Sequence, residues 1–258
     1  MHRHRVIPAV PAVAAALLAT GLCAAPAAAT SAAAGAAAVS ADWKTQSIAF
    51  TAAEGQANDL HVIPMGLGAE GRRIGFRDAV PLAPGDHCSY LEPGNDTFVV
   101  CELPTDSPRP DRIDVFLGDG DDEIVTSDPG VAAVHGGPGD DELHAHTAHT
   151  VRGGAGNDMV MGAVVLDGGD GMDHLMGDDS GQRLWGGRGD DMIEAYGGDD
   201  IVYAGPGNDH AMGGDGRDVL LGGSGDDTLH GEGGDDLIAG GSGRDTVEGG
   251  PGDDVVLR

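Results

Sequence analysis

Aspartate recurs at one phase of a nine-residue period through the second half of this sequence. From Gly186 the chain reads GGRGDDMIE, AYGGDDIVY, AGPGNDHAM, GGDGRDVLL, GGSGDDTLH, GEGGDDLIA, GGSGRDTVE and GGPGDDVVL, eight units without a gap to Leu257. GGDGMDHLM (Gly168–Met176) and the degraded GDDSGQRLW (Gly177–Trp185) hold the same register. Three earlier units begin at Leu117, Gly136 and Gly153, and the irregular segments after them have ten, eight and six residues. Of the thirteen units, twelve carry Gly at the fourth position and Asp at the sixth, and all thirteen are apolar at the eighth. Periodicity of this kind sets the architecture before any other feature does.

Each phase has a physical role. Glycine pairs permit positive φ and close backbone approach, so the first six residues make a tight turn. The last three are long enough for one short strand whose middle residue, at position eight, points inward while positions seven and nine face water. Two units close one coil of eighteen residues. Residues 117–257 then give about eight coils stacked at ~4.8 Å, a rod of about 35–40 Å. Stacking places the sixth-position Asp of unit n over that of unit n+2. Asp191, Asp209, Asp227 and Asp245 form one row, and Asp200, Asp218, Asp236 and Asp254 the other. Two carboxylates about 5 Å apart repel by about 3 kcal/mol at an effective dielectric of about 20. The rod therefore needs cations between its turns. Calcium accepts six to eight oxygens in flexible geometry, which suits carboxylates and turn carbonyls better than the tight magnesium octahedron. Transition metals would call for His or Cys, which these turns lack.

The units resemble the RTX, or haemolysin-type, calcium-binding nonapeptide G-G-x-G-x-D-x-U-x. That resemblance implies an all-β parallel β-roll (β-solenoid) with Ca2+ held between the turns of adjacent coils by position-six Asp and backbone carbonyls. Carried onto this chain, the implied ligands are Asp122, Asp141, Asp158, Asp173, Asp191, Asp200, Asp209, Asp218, Asp227, Asp236, Asp245 and Asp254. In Gly177–Trp185 the fourth and sixth positions are Ser180 and Gln182, so this turn is expected to bind weakly or not at all. The units at 117, 136 and 153 fall out of register with the rest, which leaves their pairing open.

The remainder of the chain divides into three. Residues 1–29 have the basic, apolar and small-residue layout of a secretory signal peptide, with Ala27-Ala28-Ala29 as the cleavage site. Leu22 before Cys23 does not fit a lipidation motif. An Ala-rich linker follows at 30–41. Residues 42–116 read as short strands between turns, a small β cap for the start of the solenoid, since repeat arrays need capped ends. In an oxidising compartment Cys88 and Cys101 are expected to bridge a hairpin around Pro93-Gly94-Asn95-Asp96. Gly55-Gln56-Ala57-Asn58-Asp59 is a faint copy of the repeat turn.

Composition narrows the function. The formal charge is −29 over 258 residues, with 43 Asp and Glu against 14 Lys and Arg. Such a chain repels nucleic acid. No stretch after the signal is apolar enough to span a membrane. There is no H-E-x-x-H and no G-x-S-x-G, so the chain is read as a non-enzyme. His144, His146 and His149 form H-x-H-x-x-H, which could hold zinc or copper but reads more simply as a solvated strand and loop. Trp185 and Tyr203 fall at the outward ninth phase, as isolated surface aromatics. The expectation is a secreted, extracellular calcium-binding β-roll with a structural or interaction role. The alternatives are a calcium-stiffened adhesin with an extracellular or surface partner and, more remotely, an accessory or remnant domain of a secreted hydrolase.

Overall fold

The computed structural model describes residues 5–7, 36–42, 47–67, 71–104 and 112–257. Most of the signal segment, including its cleavage site and Cys23, and half of the linker lie outside the described residues. Every regular element among those described is a β-strand. The strands form two sheets, of thirteen and twelve strands. From Arg112 onward successive strands of the chain alternate between the sheets, and each pairs in parallel with the strand one coil away. This is a parallel β-solenoid, as the nine-residue period predicts.

Position eight builds the core. Val134, Val151, Leu166, Leu184, Val202, Leu220 and Ile238 face inward from the first sheet. Ile124, Leu143, Val160, Leu175, Ile193, Ala211 and Leu229 meet them from the second. All fourteen have 0% exposure. The six-residue turns hold the sheets so close that one aliphatic per strand fills the gap, so the rod needs almost no aromatic core. The two large buried aromatics, Phe50 and Phe76, both lie in the N-terminal part.

The three early units do stack in register. Glu123 pairs with Glu142, Glu142 with Met159, and Met159 with His174, all on the second sheet. Their coils have 19, 17 and 15 residues before the spacing settles at 18. The length differences are absorbed on one edge of the rod. There the irregular segments replace the glycine turn with short loops carrying buried Asp128, Ala148 and Ala163. One edge thus has repeat turns throughout, and the other has them only from Gly177 onward.

Parallel stacking begins before residue 117. Ser47–Thr51 pairs with Arg112–Phe116, and Asp59–Leu67 pairs with Glu123–Thr126, so residues 47–67 are the first coil. The faint turn at Gly55–Asp59 is that coil's turn. The chain then leaves the stack. Gly71–Arg77, Phe98–Pro104 and Cys88–Tyr90 add antiparallel strands to the second sheet. Ala37–Asp42, all but its last residue in the stretch read as linker, pairs antiparallel with Ser47–Thr51 on the first sheet. Cys88 and Cys101 face each other across the hairpin and are disulfide-bonded. At the other end Arg5–Ile7, from the segment read as signal peptide, pairs with Val255–Leu257.

Trp185 and Tyr203 are not isolated. Their rings stack at 5.9 Å because ninth positions of successive coils are neighbours. They line a depression of about 500 Å3 with Arg152 and Asp167 on the outer face of the first sheet.

The second and fourth turn positions need glycine. Gly205 and Gly207 have φ of 125° and 156°. A Cβ on either would run into the carbonyl oxygen of Gly187 or Gly189 in the coil below. Tyr196 and Glu232 occupy second positions with φ of 71° and 70°, left-handed values that cost a side chain about 1–2 kcal/mol. Replacing Glu232 by Gly is therefore expected to raise stability by about 1 kcal/mol in calcium, read from denaturant unfolding. The same readout should fall for Gly223→Ala, whose Cβ would strike the Gly205 carbonyl.

Candidate metal centre

Each repeat turn ends by burying its sixth residue. All the sixth-position aspartates from Asp122 to Asp254 are at most 5% exposed, apart from Asp245, which lies near the end of the stack and is half-buried. They fall into two columns, one per edge. In the first, Oδ1 of Asp141, Asp158, Asp173, Asp191, Asp209, Asp227 and Asp245 each accepts the backbone N–H of the aspartate one coil earlier, at 2.9–3.2 Å. In the second, Asp218, Asp236 and Asp254 do the same for Asp200, Asp218 and Asp236 at 2.8–3.1 Å. The rows read from the sequence are these columns, and the three early aspartates join the first.

The other carboxylate oxygen is the informative one. In every sixth-position aspartate except Asp245, Oδ2 is buried and accepts no hydrogen bond. A buried oxygen of this kind is costly, and the cost is larger when it carries charge. Oδ2 points back into its own turn. A Cβ added to Gly186 would meet Asp191 Oδ2 and the Ala204 carbonyl, and one added to Gly222 would meet Asp227 Oδ2 and the Gly240 carbonyl. So the first-position glycine leaves room where a carboxylate oxygen converges with a carbonyl of the next coil. With the carbonyls of positions two and four facing along the stack, the donor set is entirely oxygen. Such a set fits a hard divalent cation with flexible coordination. No group of three or more His, Cys, Asp or Glu side chains that could hold a metal occurs among the described residues, so carbonyls must complete any site. This also removes the H-x-H-x-x-H reading: His144 Nε2 lies 2.6 Å from Glu142 Oε1, while His146 and His149 are exposed in a loop.

Both columns begin at an amide, not a carboxylate. Asn58 donates its backbone N–H to Asp122 Oδ1 at 2.6 Å and its Nδ2 to the same oxygen at 2.8 Å. Gln182 donates its backbone N–H to Asp200 Oδ1 at 2.7 Å, donates Nε2 to the Ala163 carbonyl at 2.9 Å and accepts the Asp178 N–H at 3.0 Å. Gln182 therefore satisfies the end of its column with no ion, and the degraded unit is a neutral cap. Asp178 turns away to accept from Ser180 and does not replace the missing carboxylate. Two further buried acids escape the nine-residue pattern. Asp78 accepts from Asp59 and leaves Oδ2 without a hydrogen bond. Asp128 pairs with Arg72. Neither sits at a repeat phase, and only their burial in the fold marks them.

Position five makes a second, exposed ladder of opposite polarity. Asp121 Oδ1 accepts from Asp140, Asp140 from Asn157, Asp190 from Asn208 and Asn208 from Asp226, at 2.7–3.0 Å. Asn at intervals dilutes the charge of this ladder.

Burial and repulsion shift the buried carboxyls in one direction. Desolvation, the largest cause, and the neighbouring aspartates push Asp141, Asp173, Asp209 and Asp218 up to about 6 and Asp158, Asp191 and Asp200 up to about 7. Backbone N–H groups lower them only in part. The folded, metal-free state thus binds protons more tightly than the unfolded chain. Its stability is fully present below the ordinary carboxyl value of 3.8 and is lost as pH rises through about 6–7. A bound cation reverses the sign, because it needs the ionised form. Metal-free protein should therefore gain at about pH 5 folded structure that it lacks at about pH 8, and protein in calcium should melt lower at about pH 5 than at about pH 8. Thermal unfolding at the two pH values, with and without calcium, reads both slopes.

No curated protein matches the chain. A family model does match, described as the RTX calcium-binding nonapeptide repeat, in four copies over residues 150–164, 176–211, 212–247 and 230–257. RTX nonapeptide repeats bind Ca2+, and the matched residues carry the second column and, of the first, Asp158, Asp191, Asp209, Asp227 and Asp245, but not Asp122, Asp141 or Asp173. The units at 117 and 136 lie before the first matched copy yet stack in the same column. Residues 150–164 and 176–257 are thus similar to the RTX calcium-binding nonapeptide repeat.

Proposed function

We propose that the chain is a secreted calcium-binding structural protein whose solenoid folds when Ca2+ enters its two turn columns. The ligands in this reading are the sixth-position aspartates Asp122, Asp141, Asp158, Asp173, Asp191, Asp200, Asp209, Asp218, Asp227, Asp236, Asp245 and Asp254, with turn carbonyls. The observation that carries it is the run of buried Oδ2 atoms without hydrogen bonds, one per coil on each repeat edge. A ligand that binds only the folded chain stabilises it by mass action, so many weak sites in one cooperative stack act together. The N-terminal signal pattern supplies the export route. In cytosol poor in calcium the repeats stay unfolded, and they fold where calcium is abundant.

The role is structural in this reading. No helix among the described residues is long and apolar enough to cross a membrane. The N-terminal antiparallel strands and the Cys88–Cys101 bridge close one end of the stack.

Far-ultraviolet circular dichroism during calcium titration tests the proposal. The processed chain in chelator should show a disordered spectrum, with a cooperative gain of β signal as calcium is added and a much weaker response to magnesium. Asp209→Asn, in mid-column, should move the calcium midpoint upward several-fold. A full β spectrum in chelator at neutral pH would sink the proposal.

A further inference from the structure

The outer face of the second sheet carries a chemistry that the calcium columns do not use. Four successive strands there are Met159–Met161, His174–Asp178, Met192–Tyr196 and His210–Asp215. Their outward residues at positions seven and nine are Met159, Met161, His174, Met176, Met192, Glu194, His210 and Met212. Five of the protein's eight methionines therefore share one patch. The equivalent strands of the first sheet present Thr150, Arg152, Val165, Asp167, Arg183, Trp185, Ile201 and Tyr203 outward, with no Met or His among them. Strand propensity does not select methionine, which is neither β-branched nor aromatic.

The register brings these side chains together. Met159 and Met192 flank His174 on neighbouring strands, and Met192 also pairs with His210. Met161 pairs with Met176, and Glu194 with Met212. Neighbouring strands lie about 4.8 Å apart, and residues two apart on a strand share a face, so His174 has Met159 and Met192 as its cross-strand neighbours and Met176 beside it on the same face. His174 Nε2 is buried and makes no hydrogen bond, and the nearest carboxylate oxygen, on Glu194, is 3.7 Å away. An imidazole nitrogen that makes no hydrogen bond, on a strand flanked in register by two methionines, is free to take a soft metal. Two coils on from His174, the rings of His210 and His230 meet edge to face at 5.5 Å, next to Met212.

The ligand set decides the metal. Thioether sulfur is soft and selects copper(I) over zinc, calcium or magnesium. Too few imidazoles and carboxylates converge here for a zinc site. We propose that this Met/His face binds a soft monovalent cation, copper(I), at His174 with Met159 and Met192. This site is separate from the calcium columns and does not depend on calcium occupying them, provided the solenoid is folded.

The test is an anaerobic competition for copper(I) against the chromophoric chelator bicinchoninate, using the full processed chain in calcium with its β spectrum checked first. The parent protein should withdraw copper(I) from the dye. The double variant Met159→Leu/Met192→Leu and, separately, His174→Leu should weaken that withdrawal by at least about 10-fold, since losing even an outer-shell partner costs about 10–100-fold. Both change only outward side chains, so their circular dichroism in calcium should match the parent. Met172→Leu, on an exposed turn outside this face, should bind like the parent. The proposal fails if the folded parent leaves the dye loaded, or if the double variant competes as well as the parent. It fails equally if zinc binds at the same affinity irrespective of the methionines.

Discussion

The structure depends on keeping a row of carboxylates buried at the spacing of one β-strand. Each strand added to the solenoid gains an aliphatic in the core and a full ladder of backbone hydrogen bonds. It also adds a buried aspartate beside the one before it. One oxygen of each aspartate is tied to the backbone of the preceding coil, which fixes the turn and the register. The other oxygen is left without a protein donor. The backbone thus holds the carboxylates where their repulsion is greatest, and the same turns present carbonyls that only a cation can use. Packing, hydrogen bonding and electrostatics point to opposite answers until an ion or a proton is supplied.

The fold manages this tension unevenly along the rod. The first column runs from Asp122 to Asp245 on one edge. The second starts only at Asp200, because Gln182 and the loops with Ala163, Ala148 and Asp128 take the place of acidic turns before it. The N-terminal half of the solenoid therefore carries four sixth-position aspartates against eight in the C-terminal half. It is also the part closed by antiparallel strands, by Phe50 and Phe76 and by a disulfide. A stack stabilised by ordinary packing at one end and dependent on ions at the other has a natural template from which coils can propagate.

Much of this is legible in the residues themselves. The nine-residue period places Gly, Asp and an aliphatic at fixed phases, and a period that strict leaves few ways to fold. The two columns, the inward eighth residues and the Cys88–Cys101 hairpin follow from it and from local turn chemistry. The early units were harder because their coils have 19, 17 and 15 residues, and sequence spacing alone hides that the extra or missing residues sit in loops on one edge. Asn58 as the head of a column was nearly invisible, since an amide in a weak glycine turn resembles any surface loop. Gln182 looked like decay of the motif and is a neutral cap. The stacking of Trp185 on Tyr203 and the gathering of Met159, His174 and Met192 are properties of parallel pairing, which joins residues eighteen or fifteen apart.

The most direct measurement is a crystal structure of the processed chain grown in calcium, with diffraction collected where calcium scatters anomalously. The account predicts two columns of anomalous peaks beside the Asp Oδ2 atoms. The first should run along the edge from Asp122 to Asp245, and the second should lie only on the stretch from Asp200 to Asp254, with none between Ala163 and Gln182. Oδ2 atoms found in the same buried positions with no peaks beside them, hydrogen-bonded to water or protonated, would contradict it.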